Sequence, residues 1–176
     1  MIGEIEGVLE ALNRARVRYL VVGGVAVVLH GYLRTTADLD LVIQLERENI
    51  LRAIDALAGL GYRSRLPVDP ASLADAETRR QWIQDKNLMV FSMWSAAHAG
   101  LEVDIFVEEP FDFDQVYSRA LRVPLERIEI TVVALDDLLT LKRKAGRPLD
   151  QQDVAALESL RTEAGPGPQE GNDDQP

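Results

Sequence analysis

The sequence has 176 residues and is 47% hydrophobic and 27% charged, which is typical of one globular domain with a substantial core. Its formal net charge of -10 disfavours a broad nucleic-acid surface, because acidic surfaces repel phosphodiester backbones. The absence of cysteine excludes disulfides, thiolate metal sites and cysteine nucleophiles, and it agrees with the reducing cytoplasm, where we expect the protein to lie. No apolar run approaches the ~20 residues that span a bilayer, so we expect no membrane association.

Helix and strand signals alternate along the first third of the chain. Apolar residues at i, i+3, i+4 and i+7 indicate helices, whereas short buried runs or strict alternation indicate strands. In chain order, these signals predict a helix over 3–16, a strand over 19–22, a short helix over 25–30, a strand over 38–43 and a helix over 47–60.

The same signals continue to about residue 160. They predict an edge strand over 62–65, a helix from Asp69-Pro70 to about 84, an antiparallel hairpin of strands over 88–94 and 101–107, a helix over 112–120 and a strand over 128–132. Asp136 is predicted to cap a further helix that ends at Gly146, and a last helix follows. The simplest arrangement is an α/β fold in which helices pack on a mixed sheet.

We predict one domain over residues 1–162. The segment 163–176 is rich in proline, glycine and acids and lacks large apolar side chains, so we predict a disordered acidic tail there. Trp82 and Trp94 are interpreted as core residues rather than as platforms for stacking bases. Leu160 is predicted to point inward from the last helix.

Two carboxylates stand two residues apart on the predicted strand over 38–43. Asp38 and Asp40 therefore point to the same face, with β-carbons ~6–7 Å apart. Like charges that close are costly unless a cation neutralises them, and Mg²⁺ or Mn²⁺ binds carboxylate oxygens and nucleotide phosphates together. Asp104, flanked by apolar residues on a later strand, adds a third carboxylate, with Glu102 as its alternative. Three such groups suit a two-metal site for phosphoryl transfer.

Gly23 and Gly24 stand where the first strand meets the next helix. Because they lack side chains, a phosphate can approach their backbone, and the first N–H groups of the helix would donate to it. This turn is therefore predicted to hold a triphosphate, while the following strand holds the metal ions. Arg34, just before the acidic strand, either contacts phosphate or pairs with Asp38 or Asp40.

These motifs occur together in a known superfamily. The stretch VVGGVAVVLHGYLRTTADLDLVI resembles the signature of the DNA polymerase β-like nucleotidyltransferases, which is Gly-Gly or Gly-Ser after a strand, a short helix, then Asp-x-Asp on the next strand. Asp104 matches the third acid of that signature. The stretch DDLLTLKRKAGRPLDQQDVAAL resembles the AbiEii-like bacterial branch, in which a lysine and Arg-x-x-Asp-x-x-Asp recur.

The resemblance implies a nucleotidyltransferase fold with C-terminal helices, and an enzyme that transfers an NMP from an NTP to an acceptor hydroxyl. Asp38, Asp40 and Asp104 would be its catalytic residues and its ligands for Mg²⁺ or Mn²⁺. Such proteins are often one half of a bacterial toxin–antitoxin or phage-defence pair, so the resemblance implies a toxin role and a cognate antitoxin or other partner protein. Many members have serine after the first glycine, where this chain has Gly24.

The resemblance also assigns two C-terminal cations to the nucleotide. Lys142 and Arg147 would reach the β- and γ-phosphates. The alternative for Lys142 is a surface ion pair with a neighbouring acid such as Asp136, which would contribute ~0–1 kcal/mol. Asp150 and Asp153 are interpreted as a helix cap and as an ion-pair partner for Arg147.

Two other functions fit the sequence. One is a catalytically inactive subunit of the same fold that binds a partner protein. The other is an aminoglycoside-type nucleotidyltransferase, because an acidic cleft suits a cationic drug. The sequence does not separate an RNA end, a protein and a small molecule as acceptors.

Overall fold

A computed structural model describes residues 2–163, so most of the predicted acidic tail lies outside the described part. The helices are α1 (Ile2–Arg14), α2 (Gly23–Leu29), α3 (Arg47–Gly59), α4 (Ala76–Lys86), α5 (Phe113–Ser118), α6 (Leu135–Ala145) and α7 (Pro148–Glu163). The strands are β1 (Tyr19–Val21), β2 (Asp38–Ile43), β3 (Arg63–Ser64), β4 (Val90–Trp94), β5 (Glu102–Phe106), β6 (Leu121–Leu125) and β7 (Ile128–Val132). None of the helices in this part is long and apolar enough to cross a membrane.

The strands form one mixed sheet in the order β3-β4-β5-β2-β1-β7-β6. β2 is central, with β5 parallel on one side and β1 antiparallel on the other. β4 and β5 pair antiparallel, as the hairpin prediction required. The predicted α/β fold with a mixed sheet and packed helices is therefore confirmed.

Period-two alternation on β2 divides the two faces of the sheet. Leu39, Leu41 and Ile43 are fully buried on one face, whereas Asp38 and Asp40 project from the other. On the carboxylate side, α2 packs on β2 and on α6, and α6 packs on α7. These three helices build one wall of a cleft whose floor is the acidic strand.

Two helix predictions differ from the structure for local reasons, although Asp69 and Pro70 take the predicted cap and first position. The helix expected from Asp69 to about 84 is two pieces, a 3-10 helix at Pro70–Ala74 and then α4. Asp75 separates them, because its carboxylate accepts the N–H of Thr78 and starts a new helix. Asp136 does not cap α6, which begins one residue earlier with Ala134 at the N-cap. Asp136 lies in the first turn, where its negative charge interacts favourably with the helix dipole.

β6 was not predicted at all. Its proline and its lack of a buried face hide the strand signal, yet Pro124 pairs with Glu129 in the ladder with β7. Proline is tolerated there because β6 is the edge of the sheet.

Of the three residues Trp82, Trp94 and Leu160, which were predicted to lie in the core, two are exposed. Trp82 is buried and stacks on Phe91 with ring centroids 5.6 Å apart, as predicted. Trp94 is 40% exposed, and the guanidinium of Arg65 lies 5.6 Å from its ring centroid, so the core prediction for Trp94 is wrong. Leu160 is 36% exposed, because it lies in the last turns of α7.

Candidate active site

The pairing of two parallel strands builds the centre of the candidate site. In the register of β2 and β5, Asp40 stands opposite Asp104, and Asp38 stands opposite Glu102. Paired strands lie about 4.8 Å apart, and residues in register share a face. The sheet therefore holds four acids together on the face that forms the floor of the cleft.

Asp40 packs directly against the glycine turn. Gly23 has a φ of +60°, and a β-carbon there would overlap the Asp40 carboxylate, so only glycine fits. The backbone N–H of Gly24 donates to the Asp40 carboxylate. The glycines were predicted to make room for a phosphate. In this structure Gly23 makes room for the Asp40 carboxylate, which also engages one of the expected phosphate donors.

Burial and crowding favour a proton on the central carboxylates. Burial, followed by the charge of Asp104, raises the pKa of Asp40 to about 6, although the Gly24 N–H and Lys142 oppose the shift. Burial also raises the pKa of Asp104, where a hydrogen bond from the Ser92 hydroxyl acts in the opposite direction. The two carboxylates therefore resist carrying full charge together.

A buried lysine on α6 lines the same cleft. The ammonium of Lys142 is 3.0 Å from the Asp150 carboxylate and 2.7 Å from that of Asp153, and all three side chains are at most 5% exposed. Both acids belong to α7, which follows the left-handed Gly146 at the end of α6. The predicted alternative, a surface pair with an acid such as Asp136, is wrong because Lys142 points inward.

Two arginines complete what we call the Lys142 ion cluster, defined as Arg34, Lys142, Arg147, Asp150 and Asp153. The Nε atom of Arg34 is 2.9 Å from the Asp153 carboxylate, and that of Arg147 is 2.7 Å from the Asp150 carboxylate. Within residues 2–163 the Asp153 oxygens lack an aligned hydrogen-bond donor, so their contacts are close ion pairs.

The cluster corrects two predicted pairings and one predicted helix cap. Arg34 pairs with Asp153 rather than with an acid of β2, because α7 lies over the loop that carries Arg34. Arg147 pairs with Asp150, which lies one turn further along the helix, rather than with Asp153. Burial alone would raise the pKa of Asp150, but hydrogen bonds from Arg147 and Lys142 outweigh it and lower the pKa. Asp150 is therefore an ion-pair partner in the first turn rather than a helix cap.

The predicted site residues all line one cleft of about 450 Å³. They are Gly23, Gly24, Arg34, Asp38, Asp40, Asp104, Lys142 and Arg147. A second cleft, of about 610 Å³, lies beyond the C-terminal ends of β2 and β5. We place the candidate site in the smaller cleft, because it brings the central carboxylates and the cations together.

Asp40 and Asp104 fit a divalent cation as a pair. The Oδ1 atom of Asp104 is buried and has no hydrogen-bond partner among residues 2–163, which leaves an acceptor that a cation would satisfy. No group of three or more Asp, Glu, His or Cys residues in this range has the arrangement of a metal site. The predicted three-carboxylate ligand set is therefore not preassembled, and Asp38, at the start of β2, is exposed.

Two side chains in the site were not identified from the sequence. Ser92 is the register partner of Asp104 on β4 and hydrogen-bonds its carboxylate. Thr36 lines the cleft beside Gly24. Each side chain belongs to the site because of its neighbour in the folded chain, which is Asp104 for Ser92 and Gly24 for Thr36. The one sequence signal available for Thr36 was its position two residues before Asp38.

Comparison with known proteins connects this geometry to a family. Residues 2–162 match a family described as "Nucleotidyltransferase of unknown function (DUF6036)". The sequence matches no curated protein.

Two solved structures share the fold. The lincosamide antibiotic adenylyltransferase LnuA, lincomycin-bound, aligns with a TM-score of 0.61 over 90% of this chain and 96% of its own, at 16% identity. ANT(2")-Ia in complex with adenylyl-2"-tobramycin aligns with a TM-score of 0.59 over 93% and 91%, at 15% identity. At these identities the likeness establishes a common fold alone.

Asp40→Asn is expected to stabilise the metal-free protein at about pH 8 but not at about pH 3. The folded-state pKa of Asp40 is raised from 3.8 to about 6, so protonation favours folding. This contribution is complete below pH 3.8 and is lost as the pH rises through 6. The ionised form then costs on the order of 3 kcal/mol, which Asn avoids. Thermal unfolding of both proteins in EDTA across this range measures the difference.

Asp55→Asn, an exposed substitution on α3, serves as the control and should change stability by less than about 0.5 kcal/mol at either pH. A stability difference between Asp40→Asn and the original protein that did not depend on pH would contradict the raised pKa of Asp40.

Lys142→Met is expected to lower the free energy of unfolding by about 3 kcal/mol, because it leaves two buried carboxylates without their shared cation. We expect the low end of the range for broken buried pairs, since Arg34 and Arg147 still contact one acid each. Denaturant unfolding of the protein without nucleotide provides the measurement.

The matched control is Lys144→Met, which makes the same change at an exposed position of α6. It should cost less than about 0.5 kcal/mol. Equal losses in the two variants would show that the Lys142 ion cluster does not contribute to stability.

Proposed function

The chain belongs to the DUF6036 family of nucleotidyltransferases, and we propose that it transfers a nucleoside monophosphate from an NTP to an acceptor hydroxyl. The observation that carries the proposal is one cleft that contains both the register-paired carboxylates Asp40 and Asp104 and the buried Lys142. Carboxylates hold the cations that accompany a reacting phosphate, while a lysine suits the anionic triphosphate.

The Lys142 ion cluster supports a triphosphate beside α6. An ammonium has three donors. Lys142 donates a hydrogen bond to Asp150 and forms an ion pair with Asp153, so a donor remains for a phosphate. The side chain of Arg147 is 76% exposed, so it can turn toward a bound nucleotide at little cost. These two residues would stabilise the negative charge of the leaving pyrophosphate.

In the proposed reaction the acceptor oxygen attacks the α-phosphorus while the bond to the α,β-bridging oxygen breaks. Pyrophosphate leaves with the electron pair of that bond. Asp104 orients the acceptor hydroxyl and accepts its proton. Because the substrates are held in line, positioning supplies a large part of the rate.

Mg²⁺ or Mn²⁺, held by Asp40 and Asp104 with the exposed Asp38 as a further ligand, would neutralise charge on the phosphates and acidify the acceptor hydroxyl. The buried, unpartnered oxygen of Asp104 supports this part of the proposal.

The acceptor would lie over β4 and β5, on the side of Asp104 away from the glycine turn. There Trp94 is exposed, and the guanidinium of Arg65 lies over its ring. The Nε atom of Arg65 donates to Oε1 of Glu102 at 2.5 Å. Because the two solved structures are of a lincomycin-bound adenylyltransferase and of a complex with adenylyl-2"-tobramycin, small hydroxyl compounds are candidate acceptors alongside RNA ends and proteins.

The family match supports the wider nucleotidyltransferase superfamily and does not single out the AbiEii-like branch. A toxin or phage-defence role, a cognate antitoxin and a cytoplasmic location stay predictions. A catalytically inactive partner-binding subunit is less well supported, because such a protein has no use for half-buried carboxylates held side by side in one cleft.

Incubation with each NTP labelled at the α-phosphate, with Mg²⁺ and a cell lysate, should label an acceptor and release pyrophosphate. Asp104→Asn should reduce the rate on the order of 100-fold or more, as expected when a transition-state contact is lost. Asp55→Asn should retain full activity, because Asp55 is exposed on α3 outside the cleft.

Labelling by the Asp104→Asn variant at the original rate would contradict the assigned chemistry. The chemical class of the labelled acceptor, whether RNA, protein or small molecule, separates the candidate acceptors and tests the toxin prediction.

Mg²⁺ should raise the melting temperature of the original protein, because a ligand at 100 times its Kd stabilises the folded state by ~2.7 kcal/mol. Asp40→Asn should lose most of this gain, since the amide is a weaker ligand and carries no charge. An equal Mg²⁺ response in the variant and in the Asp55→Asn control would contradict metal binding by Asp40.

A further inference from the structure

A side chain at position 24 would project into space that neighbouring side chains already occupy. A β-carbon on Gly24 would overlap the Oγ1 atom of Thr36 and would lie 2.8 Å from Nη2 of Arg34 and 2.9 Å from the Thr36 β-carbon. A hydroxyl and a guanidinium therefore converge on the point where a larger residue at position 24 would project. This convergence is a property of the loop that precedes β2, since both side chains belong to it.

The glycine turn itself has limited capacity for an anion. The N–H of Gly24 donates to the Asp40 carboxylate. A phosphate that enters the cleft above this turn must find other donors. Thr36 and Arg34 both line the cleft at that position.

Thr36 is able to supply such a donor. It is half-buried, and its hydroxyl is engaged only weakly, at 3.3 Å from the carbonyl of Asp38. A hydroxyl rotates to suit its partner, so Thr36 can redirect its proton to a phosphate oxygen without moving the backbone.

Arg34 is held in place beside it. Its Nε atom is 2.9 Å from the buried Asp153 carboxylate, and its Nη1 atom donates to the carbonyl of Thr35 at 2.9 Å. These contacts fix the plane of the guanidinium and leave Nη2 next to the Thr36 hydroxyl. A donor fixed in this way loses little conformational entropy when it binds an anion.

We propose that the Thr36 hydroxyl and Nη2 of Arg34 form a phosphate-binding pair above Gly24, which holds a non-transferred phosphate of the nucleotide. The pair takes the place of the serine hydroxyl that the resembling superfamily often carries at position 24. This assignment rests on the proposed nucleotidyltransferase function, because it names a binding contact for the nucleotide of that reaction.

The pair can be tested with inorganic tripolyphosphate and Mg²⁺, which requires neither the base nor the acceptor to be known. Thr36→Val keeps the shape and removes the hydroxyl, so titration calorimetry should show about tenfold weaker binding, equivalent to about 1.4 kcal/mol. Thr36→Ser keeps the hydroxyl and should bind within about twofold of the original protein. Thr140→Val makes the same change at an exposed position of α6 and should leave binding unaltered.

A hydroxyl swap gives a second measurement. Gly24→Ser alone should bind tripolyphosphate poorly, because the new side chain collides with Thr36. Gly24→Ser combined with Thr36→Gly removes that collision and returns a hydroxyl to the same place. The double variant should therefore bind more tightly than either single variant, Gly24→Ser or Thr36→Gly. Thermal unfolding without ligand, run on every variant, separates lost binding from lost folding.

The outcomes distinguish this proposal from the proposed function. If the original protein binds tripolyphosphate and Thr36→Val binds it equally well, the Thr36 assignment is wrong and the nucleotidyltransferase proposal stands. Equal losses in Thr36→Ser and Thr36→Val would also overturn the assignment, since the hydroxyl would not be the cause. If the original protein binds neither tripolyphosphate nor any NTP, both proposals are wrong.

Discussion

The parallel register of β2 with β5 is the constraint on which the candidate site depends. It places Asp40 beside Asp104 whatever their charges, because the ladder hydrogen bonds fix both backbones. The resulting repulsion between the two carboxylates is offset only in part, by the N–H of Gly24 and by the positive charge of Lys142, which both act on Asp40. Burial, together with the neighbouring carboxylates, raises the pKa of both Asp40 and Asp104, and a bound cation would favour their charged forms.

The C-terminal helices are part of this electrostatic arrangement. α7 supplies Asp150 and Asp153, which hold Lys142 in a buried position near the carboxylate floor. The Lys142 ion cluster contains three cations and two anions, so the acids fix the cations in place and leave a net positive charge. Without the carboxylates of Asp150 and Asp153, Lys142 would be an unpaired buried charge, which is costly. The nucleotidyltransferase domain therefore needs its last helix for both stability and charge balance.

Short-range patterns made part of the site predictable. The alternation around Asp38 and Asp40 gave the correct bounds of β2, and an acid between apolar residues indicated Asp104, because both signals depend on a period of two. The burial of Lys142 was not predictable in this way. Its partners lie across a helix junction, and a lysine on an amphipathic helix is usually solvated. Ser92 was hidden for a similar reason, since only strand pairing brings it to Asp104.

The adjacent glycines have different physical reasons for being glycine. A side chain at Gly23 would collide with the carboxylate of Asp40, whereas a side chain at Gly24 would collide with Thr36 and Arg34. Arg34 in turn contacts Asp153 on α7, so packed groups run without a gap from the last helix, through the loop before β2, to the glycine turn. The glycine motif identifies the fold, but the contacts around each glycine determine what the turn can bind.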